Sequence, residues 1–511
     1  MAKKLVRALG ALCLTPLTPA LLSAELPDYQ TSSDWFTEGS KRLKERASLS
    51  GRGKTAKNVI LFVGDGMGIS TLTAARILEG QLRGEPGEEN YLAFEQFPYS
   101  ALIKTYNTNQ QTPDSAGTMT AMMTGVKTRA GVINIDGGAQ RADCTGSAGK
   151  ELHTFLELME SRGRSTGIVS TARLTHATPA ATYARSPERG WEYSAEGGCV
   201  DIATQMVESE YGDGIDVMLG GGRRSFTPTS AEGRREDGRN LTSEWLQRYQ
   251  GQQNALYVQT GSELAAVDFS STEKLLGLFT SSHMSYHADR TASGRDEPSI
   301  AEMTAAAIDL LQKNNNGYFL MVESGRIDHA HHAGNAYNAL HDTLAFSNAV
   351  KTALDKVDLN RTLVLVTADH SHVMTIAGYP TRGNPILGKV VGNDSSGAAE
   401  SQADTAADGK PYTTLVYANG LGFAELGDNT DADHRYGLAA DNGRKDLTGV
   451  NTVASGYHQE ALVPLSAESH AGEDISLHAI GAGAELVQGS LEQSVVFHLM
   501  AGATALSVTE E

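Results

Sequence analysis

Tyr318-Phe319-Leu320-Met321-Val322-Glu323-Ser324-Gly325-Arg326-Ile327-Asp328-His329-Ala330-His331-His332 decides how this chain is read. Five apolar residues in succession predict a buried strand. A carboxylate, Glu323, stands where that strand should end, and a second carboxylate and three histidines follow within one short segment. Solvated surfaces rarely concentrate nitrogen and oxygen ligands in this way, whereas a metal centre requires them. The stretch points to a metalloenzyme.

Two further strand-like runs end alike. Val59 to Val63 leads into Gly64-Asp65-Gly66-Met67-Gly68, and Leu363 to Val366 leads into Thr367-Ala368-Asp369-His370-Ser371-His372. Additional strands are expected at 167–169 and 216–219, with helical patterns at 152–161, 300–313 and 335–357 between them. This alternation predicts an α/β fold, a large central and mostly parallel sheet sandwiched by helices. Ligands of such sheets bind at the carboxyl ends of the strands. Three carboxylates gathered there would repel one another unless cations lay between them.

The chain has 511 residues, 40% of them hydrophobic, which is ordinary for a soluble globular protein. Lys3, Lys4 and Arg7 precede an apolar run at 8–22 that is short for a membrane span and interrupted by Pro16 and Pro19. Residues 1–24 are read as a cleaved signal peptide, which makes the chain an exported protein, periplasmic or secreted. No later stretch is long and apolar enough to span a bilayer. The net charge is −19, and loss of the basic leader makes the mature chain more acidic still. That argues against a nucleic-acid-binding face. An anionic substrate must then be attracted locally, by bound cations.

With Cys13 removed, Cys144 and Cys199 remain. In an exported chain such a pair is most simply one disulfide, two free thiols being the other reading. Residues 25–511 are taken as a single domain. Within it, the Gly-, Ser-, Ala- and Asp-rich stretch 391–410 is a surface loop, and about 380–461 is an insertion above the sheet.

Gln111-Thr112-Pro113-Asp114-Ser115-Ala116-Gly117-Thr118 resembles a helix start. It places the Ser115 hydroxyl at a helix N-terminus, where the dipole favours an anion. From this segment alone, a plain N-cap is the commoner reading. The stretch 170–189 supplies His176, Thr178, Arg185 and Arg189 after a strand, and is uninformative when taken alone.

Taken together, five ordered blocks resemble the alkaline phosphatase family. They are Val63-Gly64-Asp65-Gly66-Met67-Gly68, Asp114-Ser115-Ala116-Gly117-Thr118, Gly325-Arg326-Ile327-Asp328-His329, Thr367-Ala368-Asp369-His370-Ser371-His372 and Ser469-His470-Ala471-Gly472-Glu473-Asp474. The resemblance runs from about 57 to 501 and implies hydrolysis of small-molecule phosphate monoesters through a phosphoserine on Ser115. A phosphodiesterase or sulfatase of the same superfamily is the alternative.

The resemblance also implies two zinc ions and one magnesium ion per subunit. Asp328, His332 and His470 would hold the first zinc and Asp65, Asp369 and His370 the second. Asp65, Thr178 and Glu323 would hold magnesium. Arg189, rather than Arg185, would grip phosphate with Asp114 orienting it, and His329 would line the substrate site. His176 and His372 would stand one layer behind the metals.

His176, His329 and the Cys144–Cys199 pairing match the animal-type branch, and the insertion corresponds to its crown-like region. That branch carries a calcium site whose Phe-Glu step is Phe279-Thr280 here, which leaves calcium doubtful. A homodimer is expected from the family. His331 matches no ligand position, and His153, His283, His287, His341, His434, His458, His478 and His498 are read as surface or structural residues.

Overall fold

In a computed structural model of the chain, residues 25–50, 53–428, 431–441 and 443–506 are described. The signal-peptide reading of residues 1–24 lies outside them. The five apolar runs become adjacent strands of one ten-stranded sheet. In chain order its strands are β1 (Asn58–Gly64), β2 (Tyr99–Lys104), β3 (Ser165–Arg173), β4 (Val217–Gly221), β5 (Ala255–Val258), β6 (Lys274–Leu278), β7 (Tyr318–Ser324), β8 (Thr362–Ala368), β9 (Ile475–Gly481) and β10 (Gly489–Glu492).

Their order across the sheet is β10-β2-β9-β8-β1-β7-β3-β4-β6-β5. Every neighbouring pair is parallel except the two made by β9, which runs antiparallel to β2 and β8. β7 and β8 are buried along their whole length because helices cover both faces of the sheet.

The strands with acidic ends are neighbours. β1 lies between β8 and β7, and the register sets Gly64 opposite Ala368 on one side and Ser324 on the other. Asp65, Glu323 and Asp369 therefore reach one edge of the sheet. On the far side of β7, Ser170 of β3 pairs with Glu323.

Helix boundaries are set by caps. The helical pattern expected from residue 152 begins only at Phe155, because Thr154 caps the helix and Glu157 completes the capping box. Ser299 and Glu302 do the same for Ile300–Leu311. Between 374 and 474 the chain leaves the main sheet. Met374–Ile376, Leu415–Gly420 and Ala461–Pro464 pair into a separate three-stranded sheet, and 391–410 is a mostly exposed loop between its strands.

Cys144 and Cys199 are bonded, with Cα atoms 5.7 Å apart, and close a loop of 55 residues. By chain entropy the bond contributes about 4 kcal/mol. Replacing both cysteines with serine should lower the urea or thermal midpoint accordingly, and an unchanged midpoint would contradict this.

Candidate metal centre and active site

The edge of the sheet gathers buried acids, and several of their oxygens find no hydrogen-bond partner. Asp65, Glu323, Asp369 and His370 are all fully buried. Both carboxylate oxygens of Asp65, Oε1 of Glu323, and Oγ1 of Thr178 accept or donate no hydrogen bond. Burial, together with Asp328, Asp369 and Glu323, pushes Asp65 well above its ordinary value. Burial pushes Glu323 up to about 8. Unpaired buried carboxylates are costly, and cations are the ordinary remedy. The turn that presents Asp65 needs glycine at 66, where φ is +70° and an added Cβ would lie 2.4 Å from the His372 ring. Its amide donates to Oδ1 of Asp369 at 3.0 Å.

After β7 the chain turns into helix α1 (Arg326–His332). One helical turn puts Asp328 and His332 on the same face, with His332 Nε2 3.3 Å from Asp328 Oδ1. His470 Nε2 stands 3.4 Å from the same oxygen. The two Nε2 atoms lie only 3.1 Å apart. Each Nδ1 faces a backbone carbonyl, Glu468 at 2.6 Å for His332 and Pro113 at 2.7 Å for His470. A carbonyl only accepts, so each Nδ1 carries the proton and each Nε2 presents a bare lone pair. Two lone pairs and a carboxylate converging on one point make a cation cradle.

His372 is different. Its Nε2 meets Asp328 Oδ1 at 2.7 Å and its Nδ1 meets Glu468 Oε2 at 2.5 Å. Burial opposes a charge there, but Glu468 and Asp328 outweigh it and lift His372 to about 10. Both nitrogens donate to carboxylates, so His372 holds Asp328 in place. Glu468 completes that arrangement, and the sequence reading missed it. His331 is buried and satisfied by Thr71 Oγ1 at 3.0 Å and the Tyr417 hydroxyl at 2.8 Å, well suited to a structural role.

Ser115 opens a fully buried helix, Ser115–Thr124. Asp114 is its N-cap and accepts from the Gly117 amide at 3.1 Å. Ser115 Oγ lies 3.1 Å from His370 Nε2, which puts the hydroxyl beside the Asp65–Asp369–His370 group. Asp114 also accepts from Asn107 Nδ2 at 2.9 Å, the Gly131 amide at 2.8 Å and Arg189 Nη1 at 3.0 Å. Burial alone would push its carboxyl above the ordinary value, yet Arg189 and the two amides overcome this and hold it below that value. A methyl at Gly117 would strike the Asn107 amide at 2.5 Å, so glycine there preserves the bracket around Asp114.

The second nitrogen of Arg189, Nη2, reaches His176 Nε2 at 3.4 Å. Arg185 turns away to an ion pair with buried Glu157 and stacks on Tyr211. His176 also belongs to a metal-capable group with Asp65 and Glu323. Behind it, His283 packs its ring against His329 at 4.0 Å and against His176 at 5.3 Å. His283 therefore borders the site rather than standing apart from it. It accepts from the Arg173 amide at 3.3 Å, a contact between residues 110 positions apart that no local pattern reveals. The expected calcium step offers only Thr280, whose hydroxyl donates to Ser282 O at 2.8 Å. Among the described residues it joins no metal-capable group.

Three such groups are found among the described residues: Asp328, His332, His372 and His470; Asp65, Asp369 and His370; and Asp65, His176 and Glu323. The profile of the alkaline phosphatase family matches residues 56–506. The chain is 40% identical to the tissue-nonspecific alkaline phosphatase of Gallus gallus, over 98% of this chain and 93% of that protein. It is 38% identical to an alkaline phosphatase of Gadus morhua, over 94% and 98% of the two chains. The crystal structure of Thermus thermophilus alkaline phosphatase is similar with a TM-score of 0.65 at 26% identity, covering 94% of this chain and 96% of that one.

Proposed function

The chain belongs to the alkaline phosphatase family and hydrolyses phosphate monoesters, and within that activity we propose that Ser115 is the nucleophile and becomes phosphoserine. The observation that carries this reading is the Ser115 hydroxyl at a helix N-terminus, 3.1 Å from His370 and beside two groups of unsatisfied ligand atoms.

Donor chemistry sorts the ions. Asp328, His332 and His470 form one mixed nitrogen–oxygen set and Asp65, Asp369 and His370 another, and both suit zinc. Asp65, Thr178 and Glu323 offer only oxygen, which suits magnesium, with His176 alongside. When bound, these cations supply the positive charge that offsets a phosphoryl dianion and its leaving oxygen.

The remaining work falls to the chain's own groups. Arg189 grips two phosphate oxygens through its planar fork, and Asp114 and His176 fix that fork from behind. His329, whose ring lies 5.4 Å from that of His176, lines the substrate site. Ser115 Oγ attacks phosphorus in line, the Oγ–P bond forms, and the ester P–O bond breaks. The alcohol departs and takes up a proton. Water then attacks the same phosphorus, the Oγ–P bond breaks, Ser115 regains its proton, and inorganic phosphate leaves.

Arg189→Lys should raise the inhibition constant of inorganic phosphate by about 10- to 100-fold, because a point charge replaces a bidentate contact. An unchanged constant would remove Arg189 from the phosphate site. The disulfide supports export, and no described helix is long and apolar enough to cross a membrane. A homodimer, with residues 380–461 contributing a crown-like insertion, completes the proposal, and light scattering on the purified protein would decide it.

A further inference from the structure

A short 3-10 helix, Ala432–Gly437, lies against helix α1. Its placement is tightly fixed. Ala432 packs in one buried cluster with Ala330 of α1 and with Ala333 directly after it. Asp433 accepts from Arg326 Nη2 at 2.9 Å and from the Tyr286 hydroxyl at 2.7 Å. Arg435 is buried and donates to the carbonyls of Leu421 and Gly422, at 2.5 and 3.4 Å. Asp431 caps the turn by accepting from the Asp433 amide at 3.1 Å.

His434 and Tyr436 are the exposed side chains of this turn, Tyr436 at 45%. Side chains three apart eclipse in a 3-10 helix, so Tyr436 points the same way as Asp433. Asp433 points at Arg326, and Arg326 Nη1 contacts His329 Nδ1 at 3.2 Å. Tyr436 thus stands on the His329 side of α1, the helix that carries Asp328 and His332. Burial, with the charges of Asp328 and Asp433, pushes the phenol above its ordinary value.

We propose that Tyr436 is a specificity-determining residue whose exposed ring face stacks on planar aromatic leaving groups of the phosphate monoester. This rests on the phosphomonoesterase reading above. The phosphate itself is held by Arg189 and the cations, so a leaving-group platform adds to kcat/KM only for esters that have a ring to stack. Offset aromatic pairs are stabilising enough to make the effect measurable.

The test compares wild type, Tyr436→Ala and Tyr436→Phe on 4-nitrophenyl phosphate and glycerol 2-phosphate, with inorganic phosphate as competitive inhibitor. Tyr436→Ala should lose about five- to tenfold in kcat/KM on the aryl ester. Its loss on the alkyl ester should be about twofold or less, with a similar phosphate inhibition constant. Tyr436→Phe should keep most of the aryl value. Parallel losses on both esters, a weakened phosphate constant, or no loss on the aryl ester would overturn the proposal. Wild type inert toward both esters would instead overturn the phosphomonoesterase reading, and the role of Tyr436 with it.

Discussion

Replacing Ser115 with alanine should lower kcat for an aryl phosphate monoester by about three to five orders of magnitude. The expectation is this large because, among the described residues, Ser115 Oγ is the hydroxyl that meets His370 Nε2. The fold should survive the change. The side-chain cap of the helix is Asp114, not Ser115, and Asp114 keeps its bonds to Gly117, Asn107, Gly131 and Arg189. Circular dichroism, the thermal midpoint and the bound-metal content should therefore stay close to wild type while turnover collapses. Retention of full activity would remove Ser115 from the mechanism. A phosphate diester and a sulfate ester run beside the monoester would show the monoester preferred by wild type, and a diester preference would contradict the substrate class.

Removing the cations should have the second largest effect, and it should reach stability as well as activity. Asp65, Glu323, Asp369 and Asp328 are buried within one site, and the oxygens of Asp65 have no protein partner. Stripping the cations leaves these carboxylates facing one another, and an uncompensated buried charge costs about 3–5 kcal/mol. Chelation followed by gel filtration should abolish turnover and lower the calorimetric midpoint by roughly 5–15 °C. Zinc with magnesium should restore both. Magnesium alone should not restore turnover, since the His332–His470 and Asp369–His370 groups are nitrogen–oxygen sets suited to zinc. A midpoint insensitive to chelator would mean that the acidic cluster is neutralised by protons instead.

Five adjacent strands, β8, β1, β7, β3 and β4, were legible because they are buried on both faces and so appear as unbroken apolar runs. By contrast, β2, β5, β9 and β10 are partly exposed and carry no such run. The site was legible where chemistry sits at a strand end: Asp65, Glu323 and Asp369 all follow such runs, and adjacency of β8, β1 and β7 brings them together. Glu468 escaped notice for a physical reason. It resembles any acid near a histidine, and its contact with His372, 96 residues earlier, exists only after folding. His283 follows no acidic strand end, and its approach to His329 depends on the loop after β6. Tyr436 lies in a weakly patterned stretch whose 3-10 turn is set by Arg326 and Arg435 rather than by periodicity. Helix ends moved where a cap outranked the apolar pattern, as at Thr154.

The central claim is a covalent phosphoryl group on Ser115 during hydrolysis of a phosphate monoester. Wild-type enzyme mixed with excess 4-nitrophenyl phosphate at mildly acidic pH, quenched in acid and digested, should yield the peptide containing Ser115 carrying one phosphate. The same treatment of Ser115→Ala should yield none. A phosphate-free Ser115 peptide from wild type that is turning over substrate, or phosphate found on another residue, would contradict the account.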